Sequence, residues 1–248
     1  MIAQAGEFSK YVGVIDLMIE DGKIVQSSAS LLAKDDMTDI PEKEETALAL
    51  KDLVEKREAY SSEIIGQTEV ELIGERNTIR TQETNVGNMA ADAAREAAEA
   101  EIAILPASII GGELMLGDIT KGDALNIARV SNMIIKKEMK GRNITALLSH
   151  AFRAYPEPAT DFVQVSGISV VFEPSKEGNR VLEVTINGKM LEDEQSYIVA
   201  LGIGISEEPG AVDGGYLEDV GEWSDIMTEY IMTHSPVKPI VEGRIIVK

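Results

Sequence analysis

The chain has 248 residues, 44% of them hydrophobic, which is long enough to bury one large core and to carry an appended arm. Its 43 acidic and 23 basic residues give a formal net charge of -20, which disfavours nucleic-acid backbones and anionic membranes as partners, because both are bound by clustered Lys and Arg. A small anionic ligand would need a local cationic pocket.

The sequence has no Cys, which excludes disulfides, thiolate catalysis and Cys-ligated metal sites. It contains neither the basic and apolar segments of a signal peptide at its start nor an apolar run near the roughly 18 residues of a membrane span.

The N-terminal region predicts a hairpin followed by a helix. Residues 8–19 alternate well enough for a strand, and Asp21-Gly22 is a hairpin-turn pair before a second strand that begins at Ile24. An isolated hairpin is marginal in water, so this one is expected to join a larger sheet. Residues 39–66 have apolar positions at helical spacing, with Pro41 suited to the first turn.

The rest of the chain alternates strands and helices. This pattern predicts an α+β (mixed α/β) domain, with mixed sheets and flanking helices, beside the N-terminal hairpin and helical arm. Thr120 is the expected N-cap of one helix, and Asn187-Gly188 is a second hairpin turn. The predicted strands are 68–73, 103–105, 133–139, 163–172, 180–186, 197–201 and 243–247, and the predicted helices are 86–100, 121–128, 142–153 and 223–233.

Common catalytic motifs are missing from the sequence. A two-metal phosphatase centre needs several His, Asp and Asn ligands, whereas this chain has only His150 and His234, which we interpret as structural. Ser149 and His150 are adjacent on a predicted helix and therefore do not face each other, and no Gly-x-Ser-x-Gly elbow occurs. A short glycine pattern at residues 202–204 is followed by Glu207, whose charge would repel a dinucleotide phosphate.

Four segments give the chain a recognisable order of landmarks. Residues 83–93 (ETNVGNMAADA) carry a polar Asn-x-Gly-Asn turn that runs into an Ala-rich helix. The other landmarks are residues 117–120 (GDIT), 162–167 (FVQVSG) and 241–245 (VEGRI). In order and spacing this set resembles the C-terminal domain of the 5'-nucleotidase family, and the resemblance covers most of the chain. It implies that family's fold for the domain.

The resemblance also implies a division of the chain. Residues 6–17 are similar to the last strands of the family's N-terminal metallophosphatase domain, so we expect residues 1–30 to be the end of that domain. Residues 31–66 would then be an interdomain helical linker. Residues 67–248 would form the 5'-nucleotidase C-terminal-like domain.

The function implied by the resemblance is that of a substrate-recognition domain. Family members are metallophosphoesterases that hydrolyse nucleotides or related phosphate esters, and the N-terminal domain carries the catalytic divalent metals. This chain is therefore expected to hold no cofactor or metal, to be inactive alone, and to have that metallophosphatase domain as its partner. An extracellular, periplasmic or cell-surface location is implied. The alternative is a non-enzymatic binding or surface module that has kept the fold and lost the nucleotide site.

The family's nucleotide site combines two aromatic rings that sandwich the base with an Asn, Arg side chains and an Asp. Stacking of this kind contributes about 1–3 kcal/mol per base. Arg80 matches one family Arg. The family's Asn-Gly-Gly-Gly-Ile-Arg loop falls on residues 106–111, where Pro106 replaces the Asn and Gly111 replaces the Arg.

The two aromatic positions differ as well. The first ring falls on Val130, and the region of the second offers only residues 202–205 (GIGI). The family's Gly-Gly-Asp-Gly-(Tyr/Phe) loop survives in shifted form as residues 213–216 (DGGY). A typical base-sandwich site is therefore not expected.

Two hypotheses remain for these positions. Either the pocket is retuned for a smaller or non-aromatic ligand, with Arg80, Ser108, Arg129 and Asp213 as its substrate-binding residues, or binding has been lost and these residues are scaffold. In the second case Arg80 would be paired with a neighbouring acid. Asp213 would then simply form a turn beside two glycines.

Overall fold

The computed structural model describes residues 4–6, 10–175 and 180–248, and it divides the chain into two compact units, Met1–Arg57 and Glu58–Lys248. In the first unit, β1 (Tyr11–Glu20) and β2 (Lys23–Ala33) form an antiparallel hairpin. Its turn lies at Asp21-Gly22, as predicted, and both residues have positive φ, 47° and 74°. Helix α1 (Glu44–Ser61) confirms the predicted helix with narrower bounds.

The second unit contains three sheets and four helices among its described residues, which confirms the α+β prediction. A five-stranded sheet has the order β12-β6-β11-β4-β7, a four-stranded sheet the order β10-β9-β8-β13, and β3 pairs with β5. The strands are β3 (Ile64–Thr68), β4 (Ile102–Pro106), β5 (Gly117–Thr120), β6 (Met133–Lys140), β7 (Val163–Ser166), β8 (Ile168–Glu173), β9 (Arg180–Ile186), β10 (Lys189–Met190), β11 (Ser196–Gly202), β12 (Gly215–Glu222) and β13 (Ile245–Val247). The helices are α2 (Asn85–Ala97), α3 (Lys121–Ile127), α4 (Gly141–Ala151) and α5 (Trp223–His234).

The five-stranded sheet forms the centre of the hydrophobic core. Strand β4 is buried along its whole length, and it runs parallel to β11 and antiparallel to β7. Its continuous apolar sequence is typical of a strand that is covered on both faces. Helix α2 packs against β4 and β7 on one side and against α5 on the other.

Two predicted strands differ from the observed structure. The predicted strand 68–73 is absent: β3 ends at Thr68, and the amide of Ile73 is bound by the side-chain Oδ1 of Asn85 (2.8 Å) instead of by a neighbouring strand. The predicted strand 163–172 is two strands, β7 and β8, because Gly167 between them has φ +79°. Strand β12, with two register shifts against β6, was not predicted.

The polar turn before α2 has a structural role at each of its positions. Thr84 caps the helix, since its hydroxyl accepts a hydrogen bond from the amide of Gly87 (3.0 Å). The side chain of Asn85 accepts from the amides of Ile73 and Val86, and its amide group donates to the carbonyl of Glu71 (2.7 Å). Asn85 is therefore structural.

Gly87 makes room for a buried glutamine. The side chain of Gln164, on β7, is fully buried and donates from Nε2 to the carbonyls of Ile79 (3.0 Å) and Gln82 (2.8 Å). Its Oε1 accepts a hydrogen bond from the amide of Thr84 (3.3 Å). A Cβ on Gly87 would lie 2.3 Å from that oxygen, so the first turn of α2 can approach β7 only with glycine at this position.

A buried carboxylate joins the same turn to the C-terminal segment. Glu83 is 7% exposed and accepts hydrogen bonds from the side chain of Asn88 (2.7 Å) and from the amides of Glu242 (2.7 Å) and Ile245 (3.2 Å). Charge-assisted bonds of this kind are among the stronger ones in proteins. Asn88 is therefore structural too, and the turn fixes where β13 begins.

We expect Gly87→Ala to lower the free energy of unfolding by about 1–3 kcal/mol, because the new methyl group must displace the Gln164 side chain and strain its hydrogen bonds. Urea unfolding followed by circular dichroism measures this. Gly215→Ala is the matched control, since a Cβ there would meet only the carbonyl of Glu138, at 3.9 Å. Equal stability of the two variants would contradict the proposed role of Gly87.

Candidate functional site

The loop that follows β4 lies at one edge of the five-stranded sheet, where β4 and β11 both end. Its residues 107–109 form a single 3-10 turn. A Cβ built on Gly202, the last residue of β11, would lie 3.0 Å from Cδ of Pro106 and 3.1 Å from Cδ1 of Ile109. The ends of the two parallel strands are therefore in close contact, and the loop extends beyond them.

Trp223 holds this loop in position by a hydrogen bond from its buried side chain. Its fully buried indole donates from Nε1 to the carbonyl of Ile109 (3.0 Å), and its backbone amide donates to the carbonyl of Asn132 (2.8 Å). The carbonyl of Ile109 also accepts from the amide of Arg129 (3.1 Å). One buried aromatic residue thus positions both the loop and the segment that carries Arg129.

The backbones of Arg80 and Ser108 are hydrogen-bonded to two consecutive residues, 159 and 160. The two Gln164 bonds hold the chain on either side of Arg80, and the carbonyl of Arg80 accepts from the amide of Ala159 (3.3 Å). The next residue, Thr160, accepts a hydrogen bond at its carbonyl from the amide of Ser108 (3.1 Å). Of the four predicted site residues, Arg80, Ser108 and Arg129 are therefore brought to the same edge of the sheet.

Two other arginines, Arg76 and Arg129, lie near enough to Arg80 for their charges to act on it. The pKa of the Arg80 guanidinium is lowered, first by its partial burial and then by the positive charges of Arg76 and Arg129. In the part of the chain that the structure describes, no salt bridge involves any of these three side chains. The acid partner that would make Arg80 a simple surface pair is therefore not found among the described residues.

Arg76 is an arginine close to Arg80 that the sequence analysis did not single out. It stands four residues before Arg80, in an irregular segment of the chain. Two arginines at this spacing, just before the polar turn of residues 83–88, were the signal that could have identified it.

Aliphatic side chains occupy the positions that the resemblance predicts to correspond to the family's aromatic rings. Val130 and Ile203 are 48% and 47% exposed. Val130 is two residues before Asn132 in sequence, and the Oδ1 of Asn132 accepts a hydrogen bond from the amide of Ile203 (3.2 Å). These two positions therefore offer exposed aliphatic surface and no aromatic ring.

Asp213 lies elsewhere in the fold. It is exposed in the turn before β12, whose first residue, Gly215, pairs with Glu138 on β6. Glu138 also pairs with Ile198 on β11, four residues before Gly202, which is about 13 Å along a strand. Asp213 is thus at the opposite edge of the sheet from Arg80, Ser108 and Arg129.

The two histidines have carboxylate neighbours in separate places. Nε2 of His150 lies 2.9 Å from Glu208 and 3.5 Å from Asp161, and Nε2 of His234 lies 3.3 Å from Glu96. Within residues 4–6, 10–175 and 180–248, no group of three or more His, Cys, Asp and Glu side chains is arranged to hold a metal ion. Over the same residues, no helix is both long and apolar enough to cross a membrane.

Comparison with known proteins gives one consistent result. The model of the family described as 5'-nucleotidase, C-terminal domain, matches residues 64–205. The trifunctional nucleotide phosphoesterase protein YfkN of Bacillus subtilis is 33% identical over 264 residues, covering 99% of this chain and 18% of that protein. The 5'-nucleotidase of Vibrio parahaemolyticus is 25% identical, covering 95% of this chain and 45% of its own length.

A solved structure agrees on the fold. The 5'-nucleotidase precursor from Thermus thermophilus superposes with a TM-score of 0.74 at 24% identity, covering 99% of this chain and 51% of that protein. This chain thus spans about half or less of the length of these relatives. At that identity the structural likeness concerns the fold and not the ligand.

We expect Trp223→Phe to lower the free energy of unfolding by about 1–3 kcal/mol, since it removes the hydrogen bond to Ile109 and leaves space in a packed core. It should also shift the backbone NMR resonances of residues 107–111 and 129. Tyr216→Phe is the control, because Tyr216 is 58% exposed. Unchanged resonances in the loop would mean that Trp223 does not position it.

Proposed function

Because the chain belongs to the 5'-nucleotidase C-terminal domain family, we propose that it is the substrate-recognition part of a metal-dependent phosphoesterase that acts on nucleotides or related phosphate esters. The metal-assisted attack of water would take place in another part of the protein. The family match and the nucleotide phosphoesterases among the relatives support this proposal. So does the arginine cluster, which is suited to a phosphate group.

The observation that carries the proposal is that the positive charges of Arg76 and Arg129 act on Arg80, while none of the three has an acid within salt-bridge distance among the described residues. Arg binds phosphate oxygens through paired N–H donors. Ser108, whose hydroxyl has no hydrogen-bond partner among the described residues, adds a neutral donor beside them. Together they would bind the anionic end of a phosphate ester.

The organic end of the ligand would lie against Val130 and Ile203. These side chains provide dispersion contacts but no ring for stacking, so a base gains less here than the roughly 1–3 kcal/mol of an aromatic contact. Binding would therefore depend mainly on the phosphate. We propose a compact or non-aromatic phosphate ester as the preferred class, with nucleotides bound chiefly through their phosphate.

The hairpin of the first unit supports a metallophosphatase domain as partner. Its two strands have almost no buried residue, although an isolated two-stranded hairpin is marginally stable in water. We propose that residues 1–30 complete a sheet of that domain, that residues 31–66 link it, and that residues 67–248 form the recognition domain. The exposed apolar side chains are Tyr11, Val12, Ile15, Leu17, Met18, Ile19, Ile24, Val25 and Leu31.

A non-enzymatic binding or surface module is the second candidate. It is favoured by the aliphatic residues at Val130 and Ile203, since loss of both rings weakens any base site. The arginine cluster distinguishes the two candidates. A module that has lost its ligand has no need for three neighbouring guanidinium groups.

We expect inorganic phosphate, glycerol phosphate and AMP to bind this chain, and adenosine to bind far more weakly or not at all. Arg80→Ala should weaken the three phosphate ligands by about tenfold to a hundredfold, because a hydrogen bond to a charged group contributes about 1.5–3 kcal/mol. Titration calorimetry at low salt measures this, and affinity should fall as ionic strength rises.

Arg180→Ala is the matched control for that experiment, because Arg180 is a surface residue paired with Glu173 on β8. It should leave phosphate affinity unchanged. Adenosine binding as tightly as AMP would contradict the phosphate-led site. Absence of binding across the whole panel would favour the non-enzymatic module.

We also expect the amides of β1 and β2 to exchange with solvent rapidly in this chain alone. They should exchange slowly when the chain is covalently joined to a metallophosphatase domain of this family that completes the sheet. Hydrogen–deuterium exchange measured by mass spectrometry compares the two. The buried strand β4 serves as the internal control, protected in both. Equal exchange of the hairpin amides in both proteins would contradict the proposal that this domain is the partner.

A further inference from the structure

The side chain of Arg129 packs against Gly111, in the loop after β4. The two segments are joined by an isolated antiparallel bridge between Ile110 and Ala128. The amide of Gly111 donates to the carbonyl of Ile127 (3.0 Å), and the amide of Arg129 donates to the carbonyl of Ile109 (3.1 Å). Gly111 and Arg129 are therefore diagonal neighbours, a spacing within reach of a long side chain.

The Arg129 side chain fills the space beside Gly111. A Cβ on Gly111 would lie 3.0 Å from Cδ and 3.6 Å from Cβ of Arg129. The backbone of Gly111 is outside the left-handed region, so its conformation does not require glycine. What favours glycine here is the path of the arginine, because a side chain at position 111 would make the Arg129 side chain shift.

The segment that carries Arg129 is bonded to the loop after β4, the segment of Arg80 is joined to that loop through residues 159 and 160, and the charges of these two side chains interact. The Arg129 charge is one of the two positive charges that lower the pKa of Arg80. Glu113 and Asp123 line the same cavity as Arg129, yet neither of these described residues forms an ion pair with it. The carboxylate of Asp123 instead accepts hydrogen bonds from the amide and hydroxyl of Thr120 at the start of α3.

We propose that Gly111 and Arg129 form one functional unit, in which the glycine lets Arg129 deliver a third guanidinium to the anion site of Arg76 and Arg80. In the resemblance described above, the family's arginine falls on position 111 itself. Here the positive charge arrives from the end of α3, and the loop position has become the glycine that admits it. This inference rests on the proposed function, since the anion is the phosphate group of the ligand.

The unit makes the two positions interdependent, and a set of substitutions tests that. Arg129→Ala should weaken binding of inorganic phosphate by about tenfold. Gly111→Ala should weaken it by a similar factor, although it removes no charge, because the methyl group displaces Arg129. In the Arg129→Ala background, Gly111→Ala should have no further effect. Combining Gly111→Arg with Arg129→Ala should recover at least part of the affinity.

NMR of the arginine Nε–H groups, assigned by comparison with the Arg129→Ala spectrum, distinguishes direct contact from a structural role. The Arg129 resonance should move during titration with inorganic phosphate, and the Arg180 resonance should not. Thermal unfolding of every variant checks that it is folded, and Gly215→Ala controls for a generic effect of replacing glycine.

The outcomes separate this inference from the proposed function. If the unmodified chain binds no phosphate compound, both fail. If it binds phosphate but Arg129→Ala binds equally well, the proposed function stands and the delivery of Arg129 is wrong. If Arg129→Ala weakens binding while Gly111→Ala does not, the two positions act independently and the unit is overturned.

Discussion

The buried side chain of Gln164 is the constraint on which the recognition domain depends. It is fully buried on β7, and its three hydrogen bonds hold the backbone of residues 79–84 against the sheet. A buried amide without partners is costly, so this segment cannot move without losing several bonds together. Gly87 allows the first turn of α2 to lie directly on that amide. Because Arg80 lies within the held segment, the same interaction that starts α2 also fixes an arginine of the candidate site.

A second buried group completes the geometry at the other side of the site. The carbonyl of Ile109 accepts hydrogen bonds from both Trp223 and Arg129, so the loop after β4 and the chain after α3 share one anchor. Trp223 also binds the carbonyl of Asn132, which in turn orients Ile203 through its side chain. The buried side chains of Gln164 and Trp223 thus support the segment of Arg80 and the loop after β4 respectively. A binding site held in this way does not need its ligand to order the loops.

The sequence analysis predicted most of the elements because their local patterns are strong. The α2 turn, the Thr120 cap and the Asp21-Gly22 hairpin each depend on residues adjacent in sequence. Strand β12 was missed because two register shifts interrupt its alternation and its sequence is acidic and glycine-rich. The strand predicted over residues 68–73 failed because a side chain, Asn85, satisfies the backbone there. Periodicity cannot reveal such a bond between residues 12 positions apart.

The site was only partly predictable for a related reason. Arg80 and Ser108 were identified from their positions in a resemblance. Arg76 was not, because it is brought near Arg80 by the fold of an irregular segment, which has no recognisable sequence pattern. The separation of Asp213 from the others follows from strand register, which its loop sequence does not specify.

The charge distribution would give the proposed site its selectivity. A chain with a net charge of -20 repels anions at long range, yet this repulsion is screened beyond roughly 10 Å at ordinary ionic strength. Within that distance, a ligand at the edge of β4 and β11 meets three guanidinium groups that are not paired with acids in the described part of the chain. Large polyanions such as nucleic acids would have to contact the acidic surface as well, whereas a single phosphate group need not. An acidic protein can therefore select small phosphate esters and exclude extended ones, with the local cluster providing affinity and the overall charge providing discrimination.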